Sequence, residues 1–224
     1  MRRVHLLHIG KTGGTAMRYA LTPYLTWVPD LEIVVHPHET TLAEVSPGEK
    51  AIFALRDPVD RFVSGFNSRR RQGRPVHNVD WTPAEASAFG DFWTPNALAE
   101  ALSAPDDEER ARAISAMRDI RHVNTSYADW LVSVDYVRVR RPHILWVGLT
   151  QRLSEDFAEL LQLLGLPPDC KLPDDPRMAH RRLETDPTWL SERAVNNIQK
   201  WYAGDYAFMD YFFSLGTERA GHPQ

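Results

Sequence analysis

The sequence has a single cysteine, Cys170, among 224 residues, so no disulfide can form within the chain. This fits a reducing compartment. Cys170 lies in "LPPDCKLPDD", where proline on both sides predicts a loop and a bystander thiol rather than a nucleophile. Long apolar runs are also missing, because no stretch approaches the ~20 residues that cross a bilayer. The basic start, "MRRVHLLHIGKTGG", has too short an apolar run for a signal peptide. We therefore expect a cytoplasmic protein with no membrane contact.

An excess of positive charge is missing as well. The chain has 26 Lys and Arg residues against 30 Asp and Glu residues, for a formal net charge of −4. No overall basic field attracts phosphodiester backbones, so nucleic acid is not an expected partner. Hydrophobic residues make up 43% and charged residues 25%, which is ordinary for a folded globular protein. The length predicts one domain over residues 1–224.

Short apolar segments alternate with helical patterns along most of the chain. Four segments predict buried strands, namely "VHLLHI", "LEIVV", "AIFAL" and "HILWVGL". Helices are predicted over 15–25, from Pro58 behind an Asp57 cap, over 154–165 with Gly165 as the stop, and from Ser191 onward. Strands alternating with helices predict an α/β fold with a parallel sheet covered on both faces.

Residues of about 74–135 interrupt this alternation and are predicted to form an insertion. We expect residues 74–105 to be irregular, because they contain several prolines. The pattern from Asp106 to about Val134 is helical.

A glycine-rich loop follows the first predicted strand and precedes a predicted helix. The segment is "HIGKTGGT", residues 8–15. Backbone N–H groups at a helix N-terminus, together with the helix dipole, form an anion site, and glycine lets the backbone approach an anion closely. The expected ligating residues are Lys11, Thr12, Gly13, Gly14 and Thr15.

The P-loop of ATP- and GTP-binding proteins is the obvious alternative for this segment. Its pattern is G-x-x-x-x-G-K-[ST], and Gly10-Lys11-Thr12 matches the end of it. The first glycine of that pattern would fall on His5, so the spacing fails. A kinase-like phosphotransferase, a nucleotide-binding module without catalysis and a glycine-rich turn without a ligand stay open as alternatives.

The same segment resembles the 5′-phosphosulfate loop of the sulfotransferases, H-I-P-K-T-G-G-T, with Gly10 in place of proline. A second segment, "LRDPVDRFVSGF", resembles that family's 3′-phosphate motif, R-D-P-x-x-R-x-x-S. The resemblance implies that Arg56 and Ser64 bind the 3′-phosphate of 3′-phosphoadenosine 5′-phosphosulfate, PAPS. Without the resemblance, Arg56 reads equally well as a structural ion-pair partner and Ser64 as a solvent-facing serine.

The resemblance covers residues 1–68 and, more weakly, about 143–214. It implies a three-layer, P-loop-like α/β fold with a helical insertion on the acceptor side. It also implies PAPS as co-substrate, no metal, and sulfuryl transfer to an acceptor hydroxyl of a glycan or another hydroxyl compound. In such a reaction the charge of Lys11 suits stabilisation of the leaving phosphate. Separately from the resemblance, "HRRLET", residues 180–185, is a candidate to close over the nucleotide through Arg181 or Arg182.

Two histidines follow the second predicted strand, in His36-Pro37-His38. Histidine titrates near neutrality, and ligands of parallel sheets gather where strands end, so this pair is a candidate base. Uronyl 2-O-sulfotransferases have an H-x-H pair between the same two motifs. By that similarity His38 is the expected base, with His36 assisting or orienting the acceptor. The alternatives are polar histidines without a role, and a zinc site for which no third ligand is evident.

Three further segments are candidates for the acceptor side. The arginines of residues 69–74 either bind an acidic glycan or form a solvated helix end. The aromatic residues of 81–93 either stack on sugars or pack the insertion. Residues 122–131, "HVNTSYADWL", are expected to line the acceptor cleft.

Overall fold

The computed structural model describes residues 2–175 and 183–213, which divide into two compact units. The first unit comprises residues 2–57, 126–175 and 204–213. The second comprises residues 58–125 and 183–203. The second unit contains most of the segment that the sequence places in an insertion, together with the helix before it and a later helix.

The first unit is built on a parallel sheet. In the described residues the sheet has four strands in the order β2-β1-β3-β4, and every neighbouring pair is parallel. Their bounds are β1 (Arg2–Leu6), β2 (Leu31–Val35), β3 (Lys50–Leu55) and β4 (Ile144–Leu149). The α/β class expected from the sequence is therefore confirmed. The β1–β2 and β3–β4 connections lead to opposite edges of the sheet, so the carboxyl ends of β1 and β3 form its switch point.

Helices cover both faces of the sheet in this unit. One face packs on α1 (Gly14–Leu21) and α8 (Leu153–Leu164), which bury Met17 and Phe157 against Ile52. The other face packs on α6 (Ala128–Leu131), α7 (Val134–Arg140) and α10 (Ala203–Phe213), which bury their apolar side chains around Phe53. Ile52 and Phe53 are adjacent residues on opposite faces, as a strand requires. The first unit is thus a three-layer α/β arrangement.

The second unit is helical. It contains α2 (Pro58–Arg70), α3 (Pro83–Asp91), α4 (Pro95–Ala101), α5 (Asp107–Asp119) and α9 (Glu192–Trp201). These helices share one apolar core around Phe66, Phe89 and Ile198. Phe89 and Phe92 are buried there, so they pack this unit rather than stack on a sugar, whereas Trp93 is 55% exposed.

The expectation of irregular structure over residues 74–105 is wrong, because α3 and α4 lie in this range. Thr82 and Thr94 cap the two helices, and each is followed by proline at the first helical position. Glu85 returns a hydrogen bond to the backbone N–H of Thr82 and completes a capping box. Proline here begins the helices, because its missing N–H is not needed in a first turn.

The first strand and the region after Asp106 also differ from the expectation. The strand expected over 4–9 is β1 at Arg2–Leu6, and residues 7–9 are buried outside it. A buried loop can have the same run of apolar residues as a strand, so the sequence pattern predicts a strand that continues past its real end at Leu6. The helical pattern from Asp106 to Val134 is divided, because α5 ends at Asp119 and α6 begins at Ala128.

No helix within the described ranges is both long enough and apolar enough to span a membrane. Cys170 is 2% exposed, and its Sγ contacts the Ala20 carbonyl oxygen at 3.4 Å. Burial raises the pKa of this thiol to about 11, so it is protonated at neutral pH and is a poor nucleophile.

Candidate functional site

The glycine-rich loop leads from β1 into the N-terminus of α1. Gly13 is the N-cap residue and has a left-handed backbone with φ 91°. Because glycine has no side chain, the cap cannot occupy the first N–H groups of the helix. Lys11 also has a left-handed backbone, with φ 67°, which is uncommon for a residue with a side chain. The loop therefore presents backbone N–H groups and a lysine at the carboxyl end of a central strand.

Two threonines hold the loop in place. The buried Thr12 donates its hydroxyl to the Ile9 carbonyl oxygen at 3.0 Å. The Thr150 hydroxyl lies 2.8 Å from the Thr12 carbonyl oxygen and 2.9 Å from the Leu55 carbonyl oxygen. One proton shared between these two acceptors connects the loop after β1 to the end of β3. Arg56, which follows Leu55, therefore begins at the same end of the sheet as the glycine-rich loop.

His8 packs directly against the start of α1. A Cβ atom at Gly14 would lie 2.3 Å from His8 Cδ2 and 2.9 Å from Nε2, so only glycine fits beside this ring. His8 Nε2 also lies 3.4 Å from the Thr15 hydroxyl. Gly14 is therefore required for the contact with His8.

His38 stacks on the His8 ring. The two ring centroids are 3.7 Å apart, and the planes are inclined by 29°. His38 Nδ1 lies 3.0 Å from the His8 carbonyl oxygen. A carbonyl can only accept, so the proton of neutral His38 is on Nδ1 and the lone pair is on Nε2. Trp130 fixes the same segment by donating its Nε1 hydrogen to the His38 carbonyl oxygen at 2.6 Å.

The environment favours the neutral form of His38. Desolvation by its neighbours lowers the pKa of this imidazole, and the charges of Lys11 and Arg18 lower it further. The hydrogen bond to His8 and the charge of Glu39 oppose that shift. The side chain stays exposed, so water screens part of these effects. A neutral imidazole near a lysine can accept a proton at neutral pH.

His36 has a different partner from His38. Its Nε2 lies 2.8 Å from Nδ1 of the buried His5 on β1. Desolvation lowers the pKa of His36, His5 lowers it further, and Glu44 opposes the shift. The two histidines of the H-x-H pair therefore occupy different environments, although a single proline separates them.

Arg56 lies at the end of β3, where its backbone N–H and carbonyl oxygen both form a hydrogen bond with Tyr127. Its N–H donates to the Tyr127 hydroxyl at 2.8 Å, and that hydroxyl donates in turn to the Arg56 carbonyl oxygen. Tyr127 is itself held by Asp205, which accepts from its backbone N–H at 2.8 Å. Tyr127 and Trp130 belong to the segment expected at the acceptor cleft, and they contact the backbones of Arg56 and His38.

The remaining expected site residues lie elsewhere. Ser64 is on α2 in the helical unit, where it is partly exposed, and its hydroxyl makes no hydrogen bond to any described residue. Its assignment to the 3′-phosphate stays a prediction. Arg181 and Arg182 lie outside the described residues.

The arginines after the phosphate motif are engaged inside the helical unit. Arg69 is 3% exposed and pairs through two nitrogens with Glu85 at 2.7 Å each. Arg70 and Arg71 both contact the carboxylate of Asp186. The buried Arg69 is thus a structural partner of Glu85, which neither alternative describes, whereas for Arg70, Arg71 and the exposed Arg74 both alternatives stay predictions.

Sequence reasoning missed two residues that shape the site, namely His8 and Thr150. His8 opens the motif that resembles the phosphosulfate loop, which is the signal that could have drawn attention to it. Thr150 has no such signal, because its hydrogen bonds are to backbone atoms far away in the sequence.

The described residues contain no group of three or more His, Cys, Asp or Glu side chains that could hold a metal ion. In comparisons with known proteins, no family model matches the chain, and no curated protein matches it.

Proposed function

We propose that this chain is a sulfotransferase that moves a sulfuryl group from PAPS to an acceptor hydroxyl, that of a carbohydrate or a related compound. The observation that carries the proposal is the position of His8. The loop of residues 11–15, which we call the anion cradle, is where an anion would bind. The His8 ring lies against Gly14 of this cradle, and the His8 carbonyl oxygen accepts a hydrogen bond from His38. His8 thus contacts both the anion cradle and the candidate base His38.

The cradle suits the 5′-phosphosulfate. Backbone N–H groups from Gly14 onward and the dipole of α1 favour a negative charge at the helix N-terminus. Lys11 adds a full positive charge in the loop before the helix. As sulfuryl transfer proceeds, charge develops on the oxygen that bridges sulfur and phosphorus, and Lys11 would stabilise that oxygen.

His38 is the proposed base. Its Nε2 lone pair accepts the proton of the acceptor hydroxyl while the hydroxyl oxygen attacks sulfur. A new oxygen–sulfur bond forms, the bond from sulfur to the bridging oxygen breaks, and the nucleotide leaves as 3′-phosphoadenosine 5′-phosphate, PAP. The Nδ1–H bond to the His8 carbonyl oxygen keeps the ring oriented during this transfer.

Arg56 is the proposed ligand of the 3′-phosphate. Its guanidinium can donate two parallel hydrogen bonds to a phosphate, and its backbone is held by Tyr127. The resemblance adds Ser64 as a second donor. The order of the strands supports a P-loop-like assignment, because the loop after β1 and Arg56 after β3 both lie at the switch point of the sheet.

The proposal is tested with sulfur-labelled PAPS and a panel of sugar, phenol and peptide hydroxyls. We expect PAP to bind, and label to pass from PAPS to at least one sugar acceptor. Transfer of the γ-phosphate from ATP in the presence of magnesium would replace the proposal with a kinase-like activity. Tight binding of PAP without transfer to any acceptor would indicate a nucleotide-binding module.

A further inference from the structure

A buried histidine on β1 connects His36 to a carboxylate. His5 is 6% exposed, and its Nδ1 lies 2.8 Å from His36 Nε2. The planes of the two rings are inclined by only 14°. On the opposite side of the His5 ring, Nε2 lies 2.9 Å from Glu49 Oε2.

The carboxylate of Glu49 is itself oriented by charge. Arg3 donates from Nη1 to Glu49 Oε1 at 3.0 Å and from Nε to Glu32 Oε2 at 2.8 Å. Glu49 Oε2 is therefore left facing the His5 ring. This last contact has the distance of an ion pair but not the alignment of a hydrogen bond, so it acts mainly through charge.

These contacts fix the direction of the hydrogen bond between the two histidines. A lone pair on His5 Nε2 would face a carboxylate oxygen, which is repulsive, so neutral His5 has its proton on Nε2. Its Nδ1 then carries the lone pair, and His36 must donate from Nε2. The remaining nitrogen of His36, Nδ1, is left with a lone pair.

We propose that His5 and Glu49 are positioning residues, which fix His36 as the Nε2–H form so that its Nδ1 accepts a hydrogen bond from a second hydroxyl of the acceptor, next to the one that attacks sulfur. This inference rests on the proposed sulfotransferase function and assigns a different role to each of the two histidines. His38 has the opposite form, with the proton on Nδ1, and takes the proton. His36 orients the acceptor through the second hydroxyl, because its donor nitrogen is engaged with His5 and only Nδ1 is left to accept a hydrogen bond.

The charged and titratable groups that act on His36 support this division. His5 faces it from β1, and Glu44 acts on it from the short turn Leu42–Glu44. The Glu44 carboxylate accepts from the backbone N–H and the hydroxyl of Thr41. Glu44 is thus engaged locally, and His5 is the partner in hydrogen-bond contact with the ring.

The first test is the form of each ring in the full chain, measured by long-range ¹⁵N NMR of the histidines at a pH where they are neutral. We expect the proton on Nε2 in His5 and His36 and on Nδ1 in His38. We also expect the His36 Nε2 proton to be protected from exchange with water. A proton on Nδ1 of His36, or an unprotected Nε2 proton, would overturn the inference.

The second test uses two variants of equal size. His5→Asn keeps an acceptor near the position of Nδ1, whereas His5→Leu has the same shape without one. His5→Leu should lose the protected proton and raise the acceptor KM about three- to tenfold, as expected for one hydrogen bond, with kcat and PAP affinity nearly unchanged. His5→Asn should restore both readouts toward those of the unmodified protein.

The outcomes separate the inference from the function on which it rests. If His5→Leu loses the protected proton but keeps the acceptor KM, His5 is structural and the inference is wrong. If the NMR result is as expected but the protein neither binds PAP nor turns over any acceptor, the proposed function fails and the substrate role of His36 fails with it. Only the direction of the hydrogen bond from His36 to His5 would then remain established.

Discussion

The imidazole of His38 is bonded through Nδ1 to the backbone carbonyl oxygen of His8 at 3.0 Å, while the two rings stack at 3.7 Å. The contact uses a backbone acceptor, so no substitution of the His8 side chain removes it directly. It leaves Nε2 as the nitrogen of neutral His38 that can accept a proton.

Replacing His38 with alanine should slow sulfuryl transfer by about 10²–10⁴-fold, the usual contribution of a general base. PAP affinity should hardly change, because the nucleotide is expected on the loop and Arg56. Transfer rates and calorimetric titrations of PAP measure the two effects. The matched variant is His36→Ala, which should act mainly on the acceptor KM. Equal loss of kcat in both variants would contradict the assignment of His38 as the base.

The rate should fall on the acid side as His38 becomes protonated. The pKa of His38 is lowered from its ordinary value of 6.5, because desolvation disfavours the charged imidazole. The neutral base therefore persists below that pH in the free protein, and the acid limb of kcat/KM should have its midpoint below 6.5 when chemistry limits the rate. A pH–rate profile of the unmodified protein measures the midpoint. A midpoint above 6.5 would count against His38.

Replacing Lys11 should reduce kcat more than it weakens PAP binding, because charge on the bridging oxygen develops during transfer. Lys11→Gly is the cleaner variant, since glycine adopts φ 67° without strain and only the side chain is lost. Single-turnover rates and PAP titrations provide the comparison. If PAP binding is lost and kcat is retained, Lys11 is an anchor for the nucleotide.

Replacing Arg56 with alanine should abolish the preference for PAP over AMP. One charge-assisted hydrogen bond contributes about 1.5–3 kcal/mol, so the unmodified protein should prefer PAP by about tenfold or more. The contacts with Tyr127 use backbone atoms of Arg56 and should survive the substitution. Calorimetry with both nucleotides is the measurement. The control is Arg138→Ala, an exposed arginine on α7 that should leave the preference intact. Equal affinities in the unmodified protein would remove the 3′-phosphate assignment.

Replacing Gly14 with alanine should disturb the cradle and the base together. The new Cβ would lie 2.3 Å from His8 Cδ2, so the His8 ring must move, and His38 stacks on that ring. We expect PAP affinity to fall about tenfold, about 1.4 kcal/mol, and transfer to fall further. The control is Gly90→Ala on α3, where a Cβ meets nothing within 4 Å. A Gly14→Ala protein with normal binding and turnover would show that the His8 contact is dispensable.

Replacing Glu85 with glutamine should destabilise the helical unit by about 3–5 kcal/mol, because the buried Arg69 would lose its counter-charge. Burial by itself raises the pKa of Glu85, but the Arg69, Thr82 and Arg121 hydrogen bonds outweigh it, so the net shift is downward from 4.5. The stabilisation is therefore present above pH 4.5 and lost as pH falls through the lowered folded-state pKa.

Urea unfolding between pH 7 and pH 3 measures both effects of Glu85→Gln. The variant should also lose the part of the acid dependence that belongs to Glu85. The exposed Glu108→Gln on α5 is the control and should change stability by less than about 0.5 kcal/mol. Equal stability of the two variants would mean that the Arg69–Glu85 pair contributes little.

Some features were predictable because their signals are local. "LEIVV" is strand β2 with the expected bounds, and Gly165 ends α8 with φ 73°, a backbone that favours glycine. The loop of residues 8–15 was placed correctly between a strand and a helix. Helices α3 and α4 also had local signals, in Thr82-Pro83 and Thr94-Pro95. Proline content alone predicts irregular structure, but the position of each proline directly after a capping threonine indicates a helix start.

Other features were decided only by tertiary structure. In the sequence His36 and His38 are two equivalent histidines on either side of a proline. In the fold His36 meets His5, and His38 meets the carbonyl oxygen of His8, so the two rings hold their protons on different nitrogens. The sequence determined the residue types and the alternation of strands and helices, because both depend on neighbours along the chain. The tertiary structure decided which nitrogen can act as a base, because that depends on atoms about 30 residues away.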